Sequence, residues 1–167
     1  MKNVPALSLA TATFALAALT AGAAIAANVV APKTVAFKGS YAGTVTEKVD
    51  GQTVTALASA TGIGTLVGKS NLSGIVTGTT AEPPCSPLSG PGTIAGRAGK
   101  LKLTLLPTSR ACAASDTDQT NITFSGNAKV TGGTLKFRKA RGTFHFSGHY
   151  DRASLAFNVN LTGRLTY

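Results

Sequence analysis

The stretch Ser154-Leu155-Ala156-Phe157-Asn158-Val159-Asn160-Leu161-Thr162-Gly163-Arg164-Leu165-Thr166-Tyr167 decides how the chain is read. Leu155, Phe157, Val159, Leu161, Gly163, Leu165 and Tyr167 fall on one side of a period of two. Ser154, Asn158, Asn160, Thr162, Arg164 and Thr166 fall on the other, with Ala156 the one apolar exception. A period of two is the repeat of an extended strand with one face buried. The same rhythm marks segments near 35–48, 53–67, 70–79, 92–97, 100–107, 120–130 and 142–150, least clearly in the second, so eight strands are expected. The pairs Asp50-Gly51, Ala98-Gly99, Gly132-Gly133 and Arg152-Ala153 fall between segments, where tight turns belong.

A shorter signature, apolar–x–Gly–x–apolar, recurs inside these segments. It reads Phe37-Lys38-Gly39-Ser40-Tyr41, Leu72-Ser73-Gly74-Ile75-Val76, Phe124-Ser125-Gly126-Asn127-Ala128, Phe146-Ser147-Gly148-His149-Tyr150 and Leu161-Thr162-Gly163-Arg164-Leu165. Each glycine lies on the apolar face between larger side chains. Glycine weakens a strand unless the backbone must bend or a neighbour must come close. Curling a small sheet needs both, because inner-face glycines let strands bend and leave room for a neighbouring ring. The expected fold is therefore all-β, a closed eight-stranded antiparallel barrel, in preference to a sandwich.

The 167 residues carry few charges (13%), yet Lys and Arg outnumber Asp and Glu by 16 to 6. Met1-Lys2, an Ala/Leu-rich run from Val4 to about Leu19 and small residues at Ala24-Ile25-Ala26 read as a cleavable signal peptide over 1–26. A flexible segment is expected over 27–34 and the barrel over 35–167, in a secreted or periplasmic protein with no transmembrane anchor. No later run reaches the roughly 18 apolar residues of a spanning helix. Outside the cytosol a disulfide between Cys85 and Cys112 is the expected pairing. Their midpoint falls in Gly96-Arg97-Ala98-Gly99-Lys100, so a hairpin about that turn brings the two cysteines opposite each other.

Little material remains for catalysis. No GxSxG, HExxH, Walker-type or GxGxxG pattern follows the signal segment. His145 and His149 stand four residues apart on one strand face, about 13 Å at strand rise, too far to share a metal. They alternate with Phe144, Phe146 and Tyr150, which turns them toward solvent. Asp116 and Asp118 lie in a polar loop-like stretch and offer too few oxygens for calcium. Neither metal nor cofactor is expected. Lys136, Arg138, Lys139 and Arg141 form a basic cluster, with Arg97, Lys100 and Lys102 near a hairpin tip. Such charge would draw anionic envelope polymers or lipid head groups, although solubility alone explains it more simply. Nucleic acid is not an expected partner, since no aromatic-interleaved basic platform is present.

The segment Gly132-Gly133-Thr134-Leu135-Lys136-Phe137-Arg138-Lys139-Ala140-Arg141-Gly142 resembles the GGTGxFxxARG signature of plant dirigent proteins, with Leu135 where that family has glycine. The chain after the signal segment also resembles small exported bacterial proteins that carry such a barrel. The resemblance implies the calycin-like eight-stranded barrel that dirigent proteins share with allene oxide cyclases. It also implies a cavity whose carboxylates and arginine steer phenoxy-radical coupling. Arg141 matches the motif's arginine and is the one residue carried over. The acidic partners are missing, since Ala36–Tyr41 holds no Asp and nothing between Gly132 and Gly142 is acidic. The fold is carried over and the activity is not.

Independently of that resemblance, the alternation lines the barrel with Phe, Leu, Val and Gly and supplies no evident general acid or base. The expectation is a non-enzymatic protein that binds a small apolar ligand or serves as a stable module of the cell envelope or extracellular space. Phe37, Tyr41, Phe124, Phe146, Tyr150 and Phe157 are the ligand-lining residues. The rivals are a dirigent- or cyclase-like catalyst using Arg141, and attachment to anionic polymers through Lys136, Arg138, Lys139 and Arg141.

Overall fold

In the computed structural model, which describes residues 31–80, 84–115 and 117–167, the alternating segments form ten strands. They are β1 (Thr34–Asp50), β2 (Thr53–Gly64), β3 (Gly68–Thr79), β4 (Cys85–Pro87), β5 (Pro91–Gly96), β6 (Gly99–Leu105), β7 (Arg110–Ala113), β8 (Asn121–Gly133), β9 (Arg141–Asp151) and β10 (Ala156–Thr166). The signal peptide expected over 1–26 lies outside the described residues, as do 27–30 of the segment after it. Pairing begins at Lys33, whose backbone exchanges two hydrogen bonds with Tyr167.

The strands pair in the order β4-β7-β8-β6-β5-β3-β2-β1-β10-β9, and β8 also pairs with β9, from Asn121 opposite Asp151 to Val130 opposite Gly142. That last ladder closes the sheet. The result is a closed eight-stranded antiparallel barrel. The short β4 and β7, not expected from the alternation, do not add to the ring. β6 and β7 pair with successive halves of β8, and β4 and β5 pair with β7 and β6 in turn, so two wall positions are strands broken in the middle.

Cys85 and Cys112 are register partners of β4 and β7 and are joined by a disulfide, with their Cα atoms 4.0 Å apart. The bridge joins the mouth-end tips of β4 and β7, beyond the breaks that separate them from β5 and β6. Gly132 and Gly133 end β8 instead of making a tight turn. The chain crosses to β9 through a single 3₁₀ turn, Leu135–Phe137, which folds Phe137 and Ala140 back into the core at 0% and 3% exposure.

The recurring glycines sit where curvature brings neighbours in. A Cβ on Gly148 would meet the Asn158 carbonyl oxygen and the Phe124 ring; on Gly163 it would meet the Thr143 carbonyl oxygen and the Phe144 ring. The same side of β1 carries Phe37, Tyr41 and Val45 into the interior, while Lys38, Ser40 and Thr44 face water. Gly148→Ala therefore lowers unfolding stability by about 2–3 kcal/mol in a denaturant titration. Replacing both cysteines by serine removes a cross-link spanning 27 residues, with an expected loss of about 3–4 kcal/mol from loop entropy. An unchanged midpoint in either variant would contradict these assignments.

Candidate functional site

The barrel interior has two unlike halves. Toward the end that carries the start of β1, the end of β10 and the β2–β3, β5–β6 and β8–β9 connections, large side chains fill it. Phe37 stacks on Phe144 with ring centroids 4.3 Å apart, and Tyr41, Ile94, Leu101, Val130, Phe137 and Leu165 are all essentially inaccessible. The Tyr41 hydroxyl is satisfied there by Ser70 Oγ at 2.9 Å.

The other half is open. A cavity of about 280 Å³ lies between small residues on one wall and aromatic residues on the facing one. Ala56 and Ala58 of β2, Gly74 of β3, Gly92 of β5 and Ala111 and Ala113 of β7 make the small wall. Phe124 of β8, Phe146 and Tyr150 of β9 and Phe157 of β10 make the aromatic wall. The void follows from volume: eight strands enclose room for a side chain at each inner position, and alanine or glycine leaves that room unused. Its mouth lies at the end of the β1–β2, β3–β4, β7–β8 and β9–β10 connections.

One polar corner interrupts the apolar lining. Glu47 Oε2 lies 3.3 Å from Arg152 Nε, and both side chains line the cavity. This is the only ion pair among the described residues. Its geometry is not that of a hydrogen bond, so Arg152 Nε, buried at the atom, is held by charge alone. The Tyr150 hydroxyl beside it is equally buried; the Glu47 carboxylate is the acceptor within its reach, without aligned hydrogen-bond geometry. Burial first, and the Glu47 carboxylate second, push the Tyr150 phenol above its ordinary pKa. At neutral pH it is a donor, not a base. A buried donor without an aligned acceptor is costly, and both such donors face the cavity.

The structure brings Phe124, Phe146, Tyr150 and Phe157 together around the cavity and places Phe37 and Tyr41 in the filled half. Arg141 stands exposed at the start of β9 at the filled end, away from the cavity, with Lys136, Arg138 and Lys139 exposed beside it. His145 points to solvent and His149 is half-buried on the outer face. Cys85 and Cys112 join β4 and β7, which contribute Ser86, Ala111 and Ala113 to the cavity wall.

The interior in which no evident general acid or base was expected is bordered by a carboxylate, Glu47. β1 runs on to Asp50, and Glu47 keeps the inward parity of Phe37, Tyr41 and Val45. That parity was available in the sequence. Arg152 likewise follows Tyr150 by two residues, at the turn. No protein-family model, curated protein or solved structure matches the chain.

Tyr41 and Tyr150 both titrate above the ordinary 10.0, chiefly through burial. The unfolded chain then releases these phenol protons before the folded one does. Stability is full below pH 10 and is lost as pH rises through the folded pKa values. Phenolate absorbance followed beside unfolding midpoints checks this, and a stability level across the alkaline range would refute it.

Proposed function

We propose that this chain is an exported, non-enzymatic protein that binds a small apolar ligand in the open half of its barrel, and so acts as a stable carrier module in the cell envelope or extracellular space. The observation that carries the reading is the 280 Å³ cavity with two buried donors, Tyr150 Oη–H and Arg152 Nε–H, that share only the Glu47 carboxylate and have no aligned hydrogen bond at an otherwise apolar wall. Ligand pockets commonly combine mainly apolar lining with a few converging polar groups. Because both groups donate and neither is well aligned on Glu47, the ligand that fits best is apolar with one acceptor oxygen, a carbonyl or a hydroxyl. A carboxylate fits less well, since Glu47 stands at the same corner.

The catalytic alternative, a dirigent- or cyclase-like reaction on a hydrophobic substrate, draws on Glu47, Tyr150 and Arg152 and not on Arg141, which lies outside the cavity. The raised Tyr150 pKa favours hydrogen-bond donation over proton abstraction, so this corner supports holding a ligand more directly than transforming it.

Two measurements test the reading. Native mass spectrometry of the protein from its own cells is expected to show a bound mass that denaturation removes. The neutral apolar dye N-phenylnaphthylamine is expected to bind with a rise in fluorescence. Ala58→Leu, which fills the small wall instead of emptying the core, should weaken dye binding about tenfold while the fold persists. A bare polypeptide mass together with no dye response would overturn the proposal.

A further inference from the structure

Among the described residues, carboxylates are confined to one end of the barrel axis, whereas cations stand at both, Lys48 and Arg152 among them at the mouth. The described carboxylates, Glu47, Asp50, Asp118 and Asp151, all belong to the mouth end. At the filled end the connections carry Lys69, Arg97 and Lys100 and then Lys136, Arg138 and Lys139, every one exposed and none in an ion pair. Two clusters distant in sequence are held side by side there. Thr134 N donates to the Lys100 carbonyl at 2.9 Å, and Lys100 N donates to Thr134 Oγ1 at 3.0 Å.

Leu135 stands in this basic collar. It is the most exposed large apolar side chain among the described residues, at 69%. Its φ of +50° places it in the left-handed region, where a branched side chain is disfavoured and glycine is at ease. Glycine would be cheaper there twice over, in conformation and in exposure. Leu155 has a similar φ of +59° but lies at the mouth end, beside the Asp151 turn.

An exposed apolar residue next to Lys136 and against the Gly99–Lys100 turn fits the boundary of an anionic bilayer, where cations meet head groups and the side chain enters the acyl region. A polyanion would use the cations and leave Leu135 without a role. We propose that the filled end docks on an anionic phospholipid surface, with Leu135 as the apolar contact and the collar of Lys and Arg as the electrostatic one. The cavity mouth then faces away from the bilayer. This docking is independent of what the cavity holds.

The test is co-sedimentation of the protein, in the form its cells accumulate, with phosphatidylcholine vesicles and with mixed phosphatidylcholine–phosphatidylglycerol vesicles. Comparing variants in one background cancels any contribution of the N-terminal segment. The protein is expected to sediment with the mixed vesicles and not with phosphatidylcholine alone, and to be released as salt rises. Leu135→Gly, which suits the backbone, should keep the fold and weaken binding about tenfold. Lys136→Glu/Lys139→Glu should abolish binding, and Leu155→Gly should leave it unchanged. Three results would overturn the proposal: no sedimentation with anionic vesicles, equal binding by Leu135→Gly (the behaviour of a polyanion site), or equal weakening by Leu155→Gly.

Discussion

Everything in this molecule depends on the ladder between β8 and β9. Without it the sheet would end in two unpaired edges, with its apolar face open to water and its free N–H and C=O groups open to other chains. Closing the ladder makes the inner face a core and sets its radius, and the radius decides which inner positions can hold a ring. Phe124 lies against Gly148, and Phe144 against Gly163. The glycines are thus the complement of the aromatic residues. Closure also joins the chain's extremes, since β1 pairs with β10 from Thr34 opposite Thr166 to Thr44 opposite Ala156. Such distant pairings make the wall costly to assemble in entropy and slow to fold.

The cavity comes from an imbalance of volume along one barrel. At the filled end Phe37, Tyr41, Phe144 and Phe137 meet from several directions and leave no room. At the other end the aromatic residues come from β8, β9 and β10, while β2, β3, β5 and β7 offer alanine and glycine. The small wall is also where β4–β5 and β6–β7 are interrupted, so it has the fewest ladder bonds and the least packing. The Cys85–Cys112 bridge ties β4 to β7 at the mouth end of that stretch. A wall that packs against nothing needs another constraint, and the disulfide supplies it.

Strand positions, the barrel and the disulfide pairing were legible in the sequence because each rests on local rules: alternation, glycine spacing and compartment. The segments read as 35–48, 70–79 and 142–150 differ from β1, β3 and β9 by only one or two residues at each end. Less legible was anything that depends on length along the axis. Phe37 and Tyr41 share a face with Phe146 and Phe157, but which half of the barrel each enters is set by strand stagger, which alternation does not report. Glu47 was hidden differently. Its parity was plain and it lay inside the segment read as 35–48, but a charged residue near a strand end is ordinarily solvated, and alternation does not report that the inner face there borders a cavity. β4 and β7 were missed because three or four residues cannot display a period.

The carboxylates and the cations of this chain are used in different ways. Asp151 accepts from Ala153 N at 2.8 Å and Ser154 Oγ at 2.7 Å, and Asp118 accepts from Thr120 N, Asn121 N and Asn121 Nδ2; these bonds hold both pKa values below the usual carboxylate range. Their position at the mouth end is thus explained by the turns they build. The cations of the filled end receive no such explanation. Lys136 lies 4.8 Å from the Tyr167 ring centroid, and the rest make no ion pair. Like charges gathered on one end repel one another and work against the compact state. The opposite end carries the carboxylates that could have offset them, so the fold itself gains nothing from the segregation. Under the docking proposed above, a surface that bears negative charge is where that arrangement becomes favourable, and the exposed Leu135 beside the cations, at a positive φ, would call for an apolar layer beneath that charge.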